Sequence, residues 1–267
     1  MVVMGVLNLS PESFYAGSVT ATLPSLVARA LQMVESGAGL IDVGARSTAP
    51  YRRSDITPDE ERRRLGPAVE ALAAKLPVPV SADTTRAEVA ETALEAGARI
   101  VNDVSGLADP AMGRVVSSHG ASVVLMAHPD SAPSPRPGPV ATVRAALLAA
   151  LQRARQAAIA DDNVVLDPGI GFFRDEALPW DEWDARILAD LAALADLGRP
   201  LAVGVSRKSF IDAITGRADP ADRLAGSLAA TAIAVVNGAA LIRTHDVAET
   251  RDAVRVAERL AGAAGRP

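Results

Sequence analysis

Eight short apolar runs, each followed by a longer segment with helical spacing, limit this chain's fold more than any other feature. The runs are Val2–Leu7, Leu40–Val43, Pro79–Ala82, Ile100–Asp103, Ser122–Met126, Val164–Asp167, Leu201–Val205 and Leu241–Thr244. The helical segments are Leu23–Ser36, Pro58–Ala74, Arg86–Ala96, Ala111–Ser118, Val140–Ala160, Asp184–Ala195, Arg223–Asn237 and Val247–Ala261. Runs rich in Val, Ile and Leu without polar alternation suit parallel strands buried on both faces. Eight such β-then-α units with no Pro/Gly/Ser linker predict an α/β fold, a (β/α)8 barrel forming one domain over residues 1–267. A doubly wound open sheet is the alternative, because counting units does not establish closure. Thr57-Pro58 with Asp59 and Glu60 marks a helix start, and Gly37 after Ser36 marks a helix end. The Pro-rich stretch Asp130–Pro139 reads as a long loop.

Composition removes several classes of function. A net charge of −5 argues against a nucleic-acid binder that works by bulk charge. With no cysteine, disulfides, thiolate nucleophiles and Cys-ligated metals are excluded. No apolar stretch reaches transmembrane length, and Val2–Leu7 follows the first residue without a basic leader, so a cytoplasmic location and no membrane partner are expected. Lysine occurs only at 75 and 208, which draws attention to Lys208.

Almost every apolar run ends in a polar residue. These are Asn8, Asp83, Asn102-Asp103, Asp167, Ser206-Arg207-Lys208 and Arg243-Thr244-His245-Asp246. In a barrel these ends meet at one face, where active sites of this architecture lie. Asp167, within LDPGIGF, is a carboxylate suited to accept two parallel hydrogen bonds from an amidine-like ligand edge, and Asp83 and Asn102 add further hydrogen bonds to a flat heterocycle. Arg243 and His245 are two apart and share a face, pairing a fixed cation with a titratable imidazole as an anion site suited to phosphate. Asn8 offers an uncharged oxygen to a magnesium ion that keeps most of its waters. His128 is expected at the loop surface, His119 as a cap or surface residue at a helix end, and Trp180 and Trp183 as packing residues beside a helix start.

The segments MGVLNLSPESF (4–14), IDVGARSTAP (41–50), SADTTRAEVAETALEAGARIVNDVSGL (81–107), LDPGIGF (166–172), VGVSRKSFI (203–211), RLAGSLAATA (223–232) and RTHD (243–246) resemble, in order and spacing, the dihydropteroate synthases of the pterin-binding barrel superfamily. The resemblance implies a transferase of folate biosynthesis. It joins p-aminobenzoate to 6-hydroxymethyl-7,8-dihydropterin pyrophosphate and releases pyrophosphate, with Mg2+ as cofactor and a homodimer as the assembly. Carried over by position, Asp167, Asn102 and Asp83 hold the pterin edge, Lys208 donates to its ring, and Arg243 lies against its face. Asn8, Arg243 and His245 take the pyrophosphate, with the metal at Asn8. Met126 and Phe172 form apolar walls, Gly204 leaves room for the ring, Ser209 approaches the p-aminobenzoate carboxylate, and Thr48 joins the substrate-binding set.

Two loops depart from the family's usual pattern. Ala16 stands where an Asp is usual, and Ala49 where an Arg is usual, with Tyr51 in place of a Gly. Tyr15, Arg46, Tyr51, Arg52 and Arg53 are the nearby replacement candidates. The departures keep two alternatives in play: a methyltransferase that uses a reduced pterin, and a repurposed pterin-binding paralogue with an altered p-aminobenzoate site.

Overall fold

Parallel strands bury both faces only if the sheet closes or is covered by helices on both sides, and here it closes. The computed structural model describes residues 1–9, 22–47, 56–174 and 178–263. Its strands are β1 (Val2–Asn8), β2 (Leu40–Gly44), β3 (Val80–Asp83), β4 (Ile100–Asp103), β5 (Ser122–Met126), β6 (Val164–Asp167), β7 (Ala202–Val203) and β8 (Leu241–Thr244). All pairings are parallel, in the order β6-β5-β4-β3-β2-β1-β8-β7. A parallel bridge between Leu166 and Leu201, with Leu166 N–H donating to the Pro200 carbonyl at 2.9 Å, joins the two outer strands. The barrel is therefore complete, and the open-sheet alternative is excluded.

The helices are α1 (Leu23–Glu35), α2 (Pro58–Ala73), α3 (Ala87–Glu95), α4 (Pro110–Ser118), α5 (Pro139–Gln156), α6 (Trp180–Ala189), α7 (Ser209–Thr215), α8 (Leu224–Val236) and α9 (Val247–Ala263). Local chemistry sets their starts. Thr57 Oγ1 accepts the Glu60 N–H at 3.2 Å, and three acidic residues occupy the first turn of α2. Two expectations are corrected. The helix expected over Asp184–Ala195 begins earlier, at Trp180 after Pro179, and ends at Ala189, giving way to a 3-10 segment over Leu191–Leu197. The short α7 was not foreseen; two turns of SFIDAIT carry too little periodicity to register before Gly216 ends them at φ 69°.

Alternation along each strand divides the core in two. Leu7, Ile41, Val101, Leu125, Leu166 and Ile242 face outward into the helices, in the larger cluster. Met4, Leu40, Val124, Ala202 and Leu241, with Ile100 and Val165 packed on them, fill the barrel interior. Burying each of these side chains larger than alanine contributes about 1.5–3 kcal/mol. Two residues further along the strands, the interior positions are Asp42, Asp83, Asn102, Met126, Asp167, Gly204 and Arg243. The apolar floor is thus capped by a layer that is mostly polar, and this layer faces the C-terminal mouth.

Candidate active site

Arg243 organises this layer. Its Nε and Nη2 both lie 2.7 Å from Asp42 Oδ2, and Nη2 also donates to Asp83 Oδ2 at 2.7 Å. Asn102 Nδ2 donates to the same Asp42 oxygen at 3.2 Å. Asp42 is wholly buried, and Asp83 and Asn102 nearly so. Burial pushes the Asp83 carboxyl up to about 7 against the pull of Arg243, with the neighbouring Asp42 charge adding to the rise. Asp42 was missed in the sequence, although a carboxylate in the middle of the apolar run LIDVG was signal enough.

Asp167 and Lys208 form a second group. The Asp167 Oδ1 accepts the Gly169 N–H at 2.7 Å. Burial raises the Asp167 carboxyl and lowers the Lys208 ammonium, while each charge partly restores the other. Lys208 Nζ donates to the Ile170 carbonyl and sits 5.3 Å from the centre of the Phe172 ring. The loop between them needs its glycines. Gly169 and Gly171 have φ of 74° and 85°, and a Cβ at Gly169 would stand 2.6 Å from the Ala127 carbonyl oxygen. From α6, the wholly buried Asp184 accepts the Gly171 N–H at 2.9 Å, and burial raises its carboxyl to about 6. Trp183, the residue before it, stacks on Phe173 with ring centres 5.6 Å apart, as the packing expectation required.

His245 follows β8 directly. Its Nδ1 lies 2.9 Å from Ser206 Oγ, and its own N–H donates to that oxygen at 3.2 Å. Burial, then the charges of Arg243 and Arg207, lower its pKa to about 3. His245 is therefore neutral at pH 7 and stands beside the fixed cation Arg243 as an uncharged hydrogen-bonding group. The flanking Arg207, at φ 57°, is held by Asp246 at 2.9 and 2.7 Å and donates to the Pro220 and Ala221 carbonyls. It braces the β7 and β8 ends to each other.

The remaining site residues fall as follows. Asn8 ends β1, half-buried, opposite Gly44. Met126 is buried beside Gly169, and Gly204 faces Arg243, where a Cβ would stand 3.7 Å from Arg243 Cβ, an ordinary contact. Ser209 opens α7 and meets Arg174 at 3.5 Å. Thr48, Tyr15, Ala16, Ala49, Tyr51, Arg52 and Arg53 lie outside the described residues. Arg46, just before one of those loops, donates to Thr85 Oγ1 at 2.6 Å and pairs at 3.3 Å with Glu61, a wholly buried carboxylate that also takes Thr84 Oγ1 and Arg86. Arg46 is thereby tied to the barrel rather than to solvent. His119 caps α4 through a contact of 2.9 Å with the Val115 carbonyl, as expected, and His128, expected as loop surface, caps the turn over 129–131.

Residues 4–245 match the family described as pterin binding enzyme. The dihydropteroate synthase of Synechocystis sp. is 38% identical over 265 residues, covering 97% of this chain and 89% of the relative. That of Mycobacterium leprae is 40% identical over 268 residues, covering 95% and 91%. The Xanthomonas albilineans dihydropteroate synthase bound to 4-aminobenzoic acid superposes with a TM-score of 0.87 at 38% identity, covering 97% and 92%. The same enzyme in complex with 7,8-dihydropteroate gives 0.84 at 36%, covering 97% and 93%.

Proposed function

The chain belongs to the pterin-binding enzyme family, and we propose that it works as a dihydropteroate synthase, with residues 1–267 as one catalytic domain. The observation that carries this reading is the convergence of Asp83, Asn102, Asp167, Lys208 and Arg243 on one barrel mouth, two residues above an apolar floor.

The reaction breaks the C–O bond between the pterin methylene and the pyrophosphate, forms a C–N bond to the aniline nitrogen, and releases pyrophosphate and the amine proton. Asp167, Asn102 and Asp83 bind the pterin edge, and the Lys208 ammonium donates to the ring. Met126 and Phe172 wall the ring, with Gly204 leaving it room. Arg243 is fixed by its Nε and Nη2 edge on Asp42, so its Nη1, which no described residue engages, is the donor left for the departing anion. His245 supplies a neutral N–H to the same anion. Fixed donors at the departing charge are worth on the order of 3 kcal/mol each in such reactions. Ser209 and Thr48 serve the second substrate.

Asn8 fits a magnesium ion as a single uncharged oxygen ligand. No group of three or more His, Asp or Glu that could hold a metal occurs among the described residues, so the diphosphate would complete the shell. Held by Asn8, such an ion would supply charge neutralisation to the diphosphate. No described helix is long and apolar enough to cross a membrane. Ile233, Val256 and Leu260 are exposed on α8 and α9, apolar surface that a homodimer through these late helices would cover.

The test incubates the protein with dihydropterin pyrophosphate, Mg2+ and p-aminobenzoate and follows pyrophosphate and dihydropteroate by chromatography. Equal yields of both support the reading. Pyrophosphate without dihydropteroate means a changed amine site, and neither product overturns it.

A further inference from the structure

The hydroxyl of Ser206 touches two nitrogens of one residue. The His245 backbone N–H can only donate, so at 3.2 Å it uses Ser206 Oγ as acceptor. His245 Nδ1 lies 2.9 Å from the same oxygen. Ser206 is 6% exposed, and among the described residues the hydroxyl proton meets one acceptor, this Nδ1. An Nδ1–H would make Oγ accept twice and leave that proton unbonded in a buried place, which is disfavoured. We propose that Ser206 is a positioning residue that fixes the tautomer of His245, keeping Nδ1 bare and the proton on Nε2, so that the imidazole presents one N–H donor on the edge away from β7. The neutral state of His245 makes this choice a real one, because an imidazolium carries both protons.

The inference deepens the reading of His245 as a pyrophosphate ligand and rests on that reading only for its consequence. A bare Nε2 would turn a lone pair toward phosphate oxygens; an Nε2–H donates to them. Arg207 supports the arrangement by donating its own backbone N–H to Ser227 Oγ at 2.8 Å and by clamping Asp246, so that the residues next to Ser206 and His245 are both fixed.

The direct test needs no substrate. The chain has three histidines, so long-range nitrogen–proton correlation spectra of histidine-labelled protein at pH 7.5, assigned with a His245→Gln sample, report each ring. The expected result is a pyridine-like Nδ1 and a protonated, pyrrole-like Nε2 for His245. A protonated Nδ1 overturns the proposal whatever the enzyme's activity, whereas an inactive protein with the expected tautomer would count against the functional reading alone. In Ser206→Ala the preference should collapse to a mixture, and competition by inorganic pyrophosphate should weaken on the order of tenfold with kcat changed less than KM. Ser206→Thr, which keeps the hydroxyl, should restore both. An unchanged His245 spectrum in Ser206→Ala also overturns the proposal.

Discussion

Asp42 holds Arg243 by its edge. One carboxylate oxygen lies 2.7 Å from both Nε and Nη2, at the centre of a barrel whose other interior residues at lower levels are mostly apolar. An ion pair in such a place seldom stabilises a fold, because desolvating both charges offsets their attraction. Its value lies in orientation: the guanidinium cannot turn without abandoning a buried carboxylate.

Removing that carboxylate should therefore cost both stability and binding. Asp42→Ala leaves Arg243 with Asp83 alone, and because Arg243 keeps about a quarter of its side chain exposed, water recovers part of the loss. Urea denaturation should show a drop of about 2 kcal/mol. The Michaelis constant for the pterin pyrophosphate should rise more than that for p-aminobenzoate. Equal rises in both would mean that Asp42 merely supports the fold.

Gly204 separates space kept for a ligand from space needed by the fold. A Cβ there meets nothing nearer than Arg243 Cβ at 3.7 Å, an ordinary contact, whereas one at Gly226 would meet Ile211 at 2.4 Å. Gly204→Ala should keep its unfolding free energy within about 0.5 kcal/mol of wild type while pterin affinity by calorimetry falls on the order of tenfold, the effect of overpacking a filled site. Unchanged affinity would place the ring elsewhere.

His245 predicts a pH dependence with a definite sign. Its folded pKa of about 3 lies below the ordinary 6.5, so the unfolded chain binds the extra proton, and wild-type stability falls as pH drops from about 6.5 toward 3. Asp83, raised from 3.8 to about 7, acts oppositely, with stability falling as pH rises through that range. Wild type should therefore look flatter than either group alone. His245→Gln removes the first contribution, so relative to wild type it should gain about 2 kcal/mol between pH 7.5 and pH 5, measured by urea midpoints at each pH. A constant difference would mean that His245 titrates alike in the folded and unfolded chains, so that burial does not lower it.

The pterin edge is tested at Asp167. Asp167→Asn keeps an acceptor for the Gly169 N–H but replaces one carboxylate oxygen with a donor, and so cannot receive two ligand N–H groups. Calorimetric binding of the pterin pyrophosphate should fall at least a hundredfold, about 3 kcal/mol, with the circular dichroism spectrum unchanged. Retained affinity would sink the assignment.

How much of this was legible beforehand follows from what each residue must do. Eight apolar runs sufficed for the barrel, because burial on both faces dictates composition at every strand position. Asn102, Asp167 and Arg243 were legible because they end runs whose earlier residues are apolar. Asp42 stands out as a carboxylate in an apolar run, but its pairing, like that of Ser206, exists only through partners 201 and 39 residues away, and no local spacing encodes such pairs. The neutrality of His245 depends on Arg243, Arg207 and burial together, which a sequence does not bring into one place.

Asp184 carries the same lesson to a loop. It sits on α6, takes the Gly171 N–H at 2.9 Å, and so fixes the turn that also presents the Ile170 carbonyl to Lys208. Its Oδ2 is buried with no hydrogen bond among the described residues, and burial raises the carboxyl from 3.8 to about 6. A raised carboxylate loses stability as pH climbs through that interval, since the folded form keeps a proton that the unfolded form has released. Asp184→Asn retains the acceptor and removes the titration. Relative to wild type it should therefore gain up to about 3 kcal/mol between pH 4 and pH 7, with pterin affinity close to wild type. Asp184→Leu also removes the titration but leaves the Gly171 N–H without its partner, which should cost about 1–3 kcal/mol relative to Asp184→Asn at any pH. Because Asp167 and Lys208 both touch this turn, its pterin affinity should fall as well. If Asp184→Leu binds pterin as tightly as Asp184→Asn, the glycines alone hold the turn, and the carboxylate is not what positions it.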